Sequence, residues 1–431
     1  LSNLYGGNKI KLVMRYFLIF LFFFSFSTNK SGAEELLTWK DCVREAKENH
    51  PELVSSGEGI NQAKASKEIS ASNLLPQFSS DLSKSTSGGS SQGETDTYSY
   101  GISGSQLLFD GFKTRYNVDA ASENIKSAEY FLLVTSTNVR LRLRTAFVNL
   151  LRAQELLNLT EDISGRRKQN LELVKLRYEA GREHKGSLLT AQANLAQAEY
   201  EVLQAKRNIS LAQVQLLKEL GRTELTPIKV SGDFEIRYTA RDKPDFEVLS
   251  DANPFLHELI AIKEVTRFGL KSARADFFPQ VYASASAGSS ASDWPPDTDS
   301  WSAGVKLSFP LFEGGRRTAE VDRNKANFKQ AEADEKNGRS NVILTLEETW
   351  AEFQNAIDRV GVQMKFLEAG EERAKIAQAQ YSTGLISFDN WTIIEDDLVR
   401  VKKSFLDTQA NALVSEAGWI QAEGETLDYE D

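Results

Sequence analysis

The sequence predicts a mainly α-helical chain with a small β part, made by duplicating one unit of helix, β-hairpin, long helix and helix. Three observations carry this. Punctuating residues recur at one constant separation of 203 positions (279 − 76, for example): Pro76 with Pro279, Gly101 with Gly304, Gly111 with Gly314, Gly181 with Gly384. Two runs, from Lys113 to Tyr178 and from Arg316 to Tyr381, keep helical spacing without a proline. Four shorter segments alternate with period two, the mark of strands. Two long repeats are too few for a solenoid.

The chain has 431 residues and a formal charge of −10, with 41% hydrophobic residues. Such length holds two or three ordinary domains. The acidic balance argues against a nucleic-acid partner, since little here would neutralise phosphates. One cysteine rules out an intrachain disulfide framework and a Cys-rich metal cluster. Mean hydropathy of −0.39 excludes a bundle of transmembrane helices. It leaves room for a membrane β-barrel, whose strands are only half apolar.

Residues 1–33 read as an export signal. Lys9, Lys11 and Arg15 precede the apolar run Tyr16–Phe26, and Ser31-Gly32-Ala33 offers a small-x-small cleavage site. That run is too short to span a bilayer as a helix, which needs ~20 residues. An uncleaved anchor is the alternative, and Met14 is a candidate start. Removing four basic residues and no acidic one would take the charge to −14. Cys42 reads as a small packed residue.

The remainder divides into a first repeat (34–221), a linker (222–248), a second repeat (249–424) and an acidic tail (425–431). In the first repeat, Pro51 suits a first helical position. The helix runs to Leu75, because the residue before Pro76 is pushed out of the α region. Strands follow over 77–86 and 97–109, joined by a polar loop from Ser87 to Asp96. A helix from Lys113 to Tyr178 would reach ~100 Å at 1.5 Å per residue, a length that suggests coiled-coil packing. Gly181 permits a left-handed turn, and a second helix runs from Ser187 to Leu220. The second repeat gives strands near 281–287 and 305–311, a loop with Trp294-Pro295-Pro296-Asp297, and helices Arg316–Tyr381 and Asp389–Glu423. Between the repeats, Lys229–Ile236 suits a short strand. With residues 34–48 and the tail it would form a collar, the tail end (423–431) being disordered.

Four amphipathic strands do not close a barrel alone, since single-chain barrels start at about 8 strands. An open sheet edge is unstable in lipid. Three copies would supply twelve strands. Tyr98, Tyr100, Tyr282, Trp294 and Trp301 near strand ends suit the aromatic girdles of such a barrel.

The residues resemble the outer membrane efflux protein family typified by TolC over nearly all of the chain after residue 33. The carriers are Asn49-His50-Pro51-Glu52-Leu53 with Asn253-Pro254, and Leu75-Pro76 with Phe278-Pro279. Leu108-Phe109-Asp110-Gly111 matches Leu311-Phe312-Glu313-Gly314. The turns are Tyr178-x-x-Gly181 and Tyr381-x-x-Gly384-Leu385-Ile386-Ser387. The resemblance implies a homotrimer in the outer membrane of a Gram-negative cell. Its duplicated long-helix α-barrel protomers would add four strands each to a 12-stranded transmembrane β-barrel, with most of the chain in the periplasm. It implies an exit duct for small molecules or proteins, fed by a periplasmic adaptor and an inner membrane transporter or ATPase, with no cofactor.

On that resemblance, Pro76 and Pro279 mark the swivels from helix to strand, and Gly111 and Gly314 the return. Tyr178, Gly181, Tyr381, Gly384, Leu385, Ile386 and Ser387 mark hairpin tips that dock the adaptor. Plain turn geometry explains the tip glycines equally well. Family members carry acidic residues six and nine positions after the second tip glycine. Here those positions are Asn390 and Ile393, so the candidate entrance adds Asp389, Asp396 and Asp397. An acidic ring on a threefold axis would attract cations. The plainer reading is a salt-bridged run facing Arg400, Lys402 and Lys403.

An enzyme is a poor reading. His50, His184 and His257 lack metal-ligand spacing, and no nucleophile elbow, phosphate loop or dinucleotide fingerprint occurs. No catalytic, cofactor or metal residue is therefore assigned. The serious alternative is a periplasmic coiled-coil adaptor or scaffold without a pore.

Overall fold

The computed structural model describes residues 35–89, 92–234 and 242–429. The export signal lies outside them. The chain opens with β1 (Glu35–Leu37), α1 (Trp39–Asn49) and α2 (Pro51–Ser72). Strands β2 (Gln77–Gly89) and β3 (Gln92–Phe109) lead into the long α3 (Lys113–Glu179) and α4 (Lys185–Glu219). After β4 (Ile228–Val230) and α5 (Phe246–Ala252), the pattern repeats. It gives α6 (Pro254–Ala275), β5 (Gln280–Ala291), β6 (Thr298–Ser308), α7 (Arg316–Thr383) and α8 (Phe388–Ala422).

The duplication reaches down to the caps. His50 Nδ1 accepts from the Glu52 backbone N–H at 3.2 Å, and Asn253 Oδ1 from that of Phe255 at 3.0 Å. In each case proline follows at the first helical position, where no amide hydrogen is needed. α2 stops at Ser72 rather than Leu75. The last residues tighten into i→i+3 bonds (Leu74 N–H to Ala71, Leu75 N–H to Ser72) before Pro76 forces extension.

Heptads pack the long helices, as their length suggests. Ala191, Ala198, Ala205 and Ala212 are buried at steps of seven along α4, so its backbone can approach α3 closely. On α7 the same step buries Leu346, Phe353, Ala374 and Tyr381, with two intervening positions not buried. α3 is the spine, packed against α1, α2, α4, α6 and α8.

A core at mid-length joins Val139, Leu143, Phe147 and Leu150 of α3 to Leu216 and Leu217 of α4. Cys42 is fully buried in it, and burial pushes its thiol up to about 12. β1 and β4 form a two-stranded parallel sheet on this core. The short strand thus sits slightly earlier than the sequence suggests, and residues 235 and 236 lie outside the described chain. The tail is ordered through Tyr429, contrary to expectation. Leu427 is buried in the same core, Asp428 meets Lys47 Nζ at 2.7 Å, and the Arg140 guanidinium lies 5.1 Å from the Tyr429 ring centre. One apolar side chain and two charge contacts offset the ordering of a few residues.

The four long strands form one antiparallel sheet in the order β2-β3-β5-β6. The loop expected between Ser87 and Asp96 is mostly strand. Thr86 pairs with Asp96 and Ser87 with Thr95, and Asp96 ties the hairpin to Lys84 at 2.9 Å; residues 90 and 91 are outside the described chain. β5 and β6 likewise extend further toward their loop than the alternation shows, and β6 ends at Ser308 before Pro310, which has no amide hydrogen to give a ladder. Register places Phe78, Leu82, Tyr100, Ile102, Ala287, Trp301, Val305 and Leu307 on one face. The other carries serine and glycine, with the hydroxyl pairs Ser79–Ser103, Ser83–Ser99 and Ser286–Ser302 at 2.8, 2.8 and 2.9 Å. The apolar face is uncovered, Trp301 being 82% exposed, and the outer edges of β2 and β6 have no partner strand among the described residues.

At the swivels, β2 and β5 begin directly after Pro76 and Pro279. Gly111 has φ +69° and lies so close to Phe278 that a Cβ would sit 2.5 Å from the Phe278 Cβ. Only glycine fits that conformation and that contact together. Lys113 Nζ reaches Asp276 Oδ1 at 2.6 Å, so the first return is fastened to the second swivel. Gly314 also adopts positive φ.

Candidate functional site

Both long helix pairs end in the same turn. At the first tip the Arg182 N–H bonds the Arg177 carbonyl at 2.8 Å and the Gly181 N–H that of Tyr178 at 2.9 Å. At the second, Leu385 bonds Gln380 at 2.8 Å and Gly384 bonds Tyr381 at 3.0 Å. These are Schellman motifs, closed by left-handed glycines with φ +68° and +83°. The next helix is then capped by a side chain: His184 Nδ1 accepts from the Ser187 N–H, and Ser387 Oγ from the Asn390 N–H.

The tips hold each other through Tyr381. Its ring stacks on Trp391 at 4.2 Å and 12°, with Phe388 edge-on at 6.2 Å. Its hydroxyl donates to Glu183 Oε2 at 2.9 Å. The Arg177 guanidinium lies 4.6 Å from the ring centre and donates to the Tyr381 carbonyl at 2.9 Å. Burial first, then the bond to Glu183, raises the phenol above its ordinary range. Burial alone would raise Glu183, but hydrogen bonds from Ser187 and Tyr381 and the His184 amide hold it below the usual carboxylate range.

The predicted docking residues therefore separate. Tyr381 is fully buried and forms no outer surface; the aromatic heptad position turns it into the cluster. Tyr178, its counterpart in the repeat, is 38% exposed, and Leu385 is 75% exposed. Gly181 and Gly384 are exposed, Ser387 is spent on its cap, and Ile386 half-covers the aromatic cluster. The sequence reading missed Arg177, Glu183, Phe388 and Trp391. A signal was present: Phe388 and Trp391, three apart after an N-cap serine, mark an apolar face in the first turn.

The candidate entrance residues Asp389, Asn390, Ile393, Asp396 and Asp397 share one face of α8, opposite buried Trp391 and Leu398. Asp396 is bonded to Arg167 of α3. Asp397 meets Arg400 at 2.5 Å and Arg373 of α7 at 3.5 Å. Lys402 pairs instead with Glu371, and Lys403 with Glu201. Asp389 is exposed, without an ion pair among the described residues. Glu395, beside this run, turns inward: it is 2% exposed and receives two bonds from Arg166, at 2.6 and 2.7 Å.

The histidines have local tasks. His50 and His184 cap helices, and His257 stacks on Tyr130 at 5.1 Å. Among the described residues, no group of three or more His, Cys, Asp or Glu is arranged to hold a metal, and no helix is long and apolar enough to cross a membrane.

The sequence profile of the outer membrane efflux proteins matches residues 42–222 and 250–424, the two repeats. The outer membrane efflux protein BepC of Brucella suis is 20% identical over 407 residues, 92% of this chain and 87% of that protein. The alkaline protease secretion protein AprF of Pseudomonas aeruginosa is 27% identical over 311 residues, 64% of this chain and 61% of that one. Among solved structures, CusC superposes with a TM-score of 0.81 at 18% identity, covering 93% of this chain and 95% of that chain. The Campylobacter jejuni outer membrane channel CmeC gives 0.79, likewise at 18%, over 94% and 92%. The duplicated hairpins, the half-apolar sheet and these likenesses agree: the chain belongs to the outer membrane efflux protein family and is an exit duct of the outer membrane.

Proposed function

We infer that three copies assemble, each adding its four strands to a 12-stranded barrel and its long helices to a periplasmic tunnel. The observation that carries this is the sheet: two unpaired edges, one bare apolar face and one serine-glycine face. Pairing β6 of one copy with β2 of the next removes the edges. The apolar face then meets lipid, and the hydroxyl face lines water. A pore-less adaptor or scaffold would leave that apolar face uncovered. No bond is made or broken in transport, and no residue here is given a catalytic task.

The duct works with a periplasmic adaptor and an inner membrane transporter or ATPase. Relatives are named for cation efflux, toluene efflux and alkaline protease secretion. A lumen of small hydroxyls suits such varied cargo, since it offers no shaped pocket. Leu385 and Tyr178 at the tips are the adaptor contacts, Pro76, Gly111, Pro279 and Gly314 redirect helix into barrel, and Asp389 leads the entrance face.

Light-scattering mass in detergent and conductance in planar bilayers test the assembly. A trimer with stepwise conductance is expected; a monomer without conductance overturns the reading. A photo-crosslinker at position 385, used in the native host, should capture a periplasmic adaptor. Capture of none overturns the docking role.

A further inference from the structure

Arg182 and Leu385 hold the same place in the two Schellman turns, one residue beyond the tip glycine and 203 positions apart (385 − 182). Both side chains are exposed, yet one ends in a guanidinium and the other in an isobutyl group. The contrast covers each whole tip. In the first turn Glu183 faces inward, its carboxylate taken up by Tyr381, Ser187 and the His184 N–H. Arg177 is likewise committed to Tyr381. Lys175 and Glu179, also exposed and without an ion pair among the described residues, have opposite charges that sum to zero one turn back on α3. That leaves Arg182 and Lys185, exposed and without an ion pair among the described residues. The second turn, Thr383 to Ser387, holds no charge, and no lysine or arginine occurs from Ile376 to Val399. Its nearest charge along the chain is Asp389, and the Arg177 guanidinium that reaches it from the first hairpin is spent on the Tyr381 carbonyl and ring.

We propose that the two tips, whose docking role rests on the reading above, are chemically different sockets for one periplasmic protein partner. Carboxylates of the partner meet Arg182 and Lys185 at the first tip, and an apolar patch of the partner receives Leu385 at the second. The internal use of Glu183 matters here. A carboxylate turned out beside Arg182 would offset its charge; Glu183 instead points inward to the Tyr381 hydroxyl and is balanced by Arg177 at 3.9 Å, so Arg182 and Lys185 remain as two positive charges turned outward. If one kind of hairpin end meets both tips, it carries both groups and uses a different one at each. Its copies therefore alternate between two environments around the ring of tips.

The test uses the full chain in detergent and, as probe, the purified adaptor recovered by cross-linking from position 385. Binding is measured at about 50 and 500 mM NaCl, where screening lengths differ severalfold. The double variant Arg182→Glu with Lys185→Glu is expected to weaken binding at least about tenfold at low salt and to flatten its salt dependence. Leu385→Ala should also weaken binding but leave the salt dependence unchanged. Arg182→Gln with Lys185→Gln, which removes charge without adding repulsion, should fall between wild type and the reversal; unchanged circular dichroism and thermal midpoint secure the fold. Normal binding by both charge variants, with Leu385→Ala impaired, overturns the proposal and leaves the docking role standing. Impaired charge variants with normal Leu385→Ala overturn the apolar half. Normal binding by all three overturns the docking role itself.

Discussion

Tyr381, on the second helical hairpin, donates its phenolic hydrogen to Glu183 on the first at 2.9 Å, joining two tips whose residues lie 198 positions apart. Tyr381→Phe removes this bond and keeps the stack on Trp391. The expected cost is about 1.5 kcal/mol, the low end for a hydrogen bond to a charged group. Amide exchange around residues 376–392 should quicken ~10-fold while exchange near mid-length stays unchanged. Equal protection at the tips in the variant and the wild type would remove this bond from the forces holding them.

The same link sets a pH dependence. Glu183 and Glu219 both have folded pKa values held below the ordinary 4.5, against the effect of their burial, by hydrogen bonds to neighbours. A depressed carboxylate contributes stability that is fully present above the unfolded value and is lost as pH falls through the folded one. Stability from these groups should be flat from pH 7 to about 5 and decline below 4.5. Thermal midpoints along that range check it, and Glu183→Gln should make the decline shallower.

Two arginine–carboxylate pairs near the candidate entrance should differ in weight. Arg166 makes two bonds to a carboxylate that is 2% exposed, and Arg400 makes one near the surface. Arg166→Ala leaves the buried Glu395 side chain without its cation, at a cost of about 3 kcal/mol. Arg400→Ala should cost under about 1 kcal/mol. Denaturant unfolding of the two variants separates them, and similar midpoints would mean that Glu395 finds water.

Gly111→Ala should disturb the junction of sheet and helix. The new Cβ meets that of Phe278 at 2.5 Å in a left-handed conformation, a strain of about 1–3 kcal/mol. Gly304, in β6, has nothing within 4 Å of an added Cβ and no positive φ, so Gly304→Ala should be within ~0.5 kcal/mol of neutral. Heat resistance of the membrane-inserted form reports the difference.

Truncation after Glu425 removes Leu427 from the mid-length core, together with the contacts of Asp428 and Tyr429. Burial of one leucine suggests a loss of about 2 kcal/mol. Calorimetry should show a lower midpoint; an unchanged one would mean that the tail contributes nothing to the folded state.

Much of this was written along the chain. Local chemistry placed the two long helices within two residues of their ends, because Gly111, Gly181, Gly315 and Gly384 permit left-handed turns that stop or start a helix wherever they fall. Period two found the strands but not their ends. Serine, threonine and glycine in Ser87–Asp96 suit a loop by composition, and only the partner strand supplies the ladder that makes most of them extended. The tail misled for a related reason: a short acidic segment looks disordered until the pocket for Leu427 is assembled from α3, α4 and β4.

The sequence by itself determined the duplication, the order of elements and the two-faced strands, all set by neighbours a few residues apart. The tertiary structure alone decided which member of an equivalent pair turns inward. Tyr178 and Tyr381 occupy the same repeat position, and only Tyr381 faces the other hairpin, with Arg177, Glu183 and Trp391 around it. In the run Glu395-Asp396-Asp397, three successive carboxylates point to three different partners. A helix spreads adjacent side chains by 100° each, so composition gives the charge and packing assigns the direction.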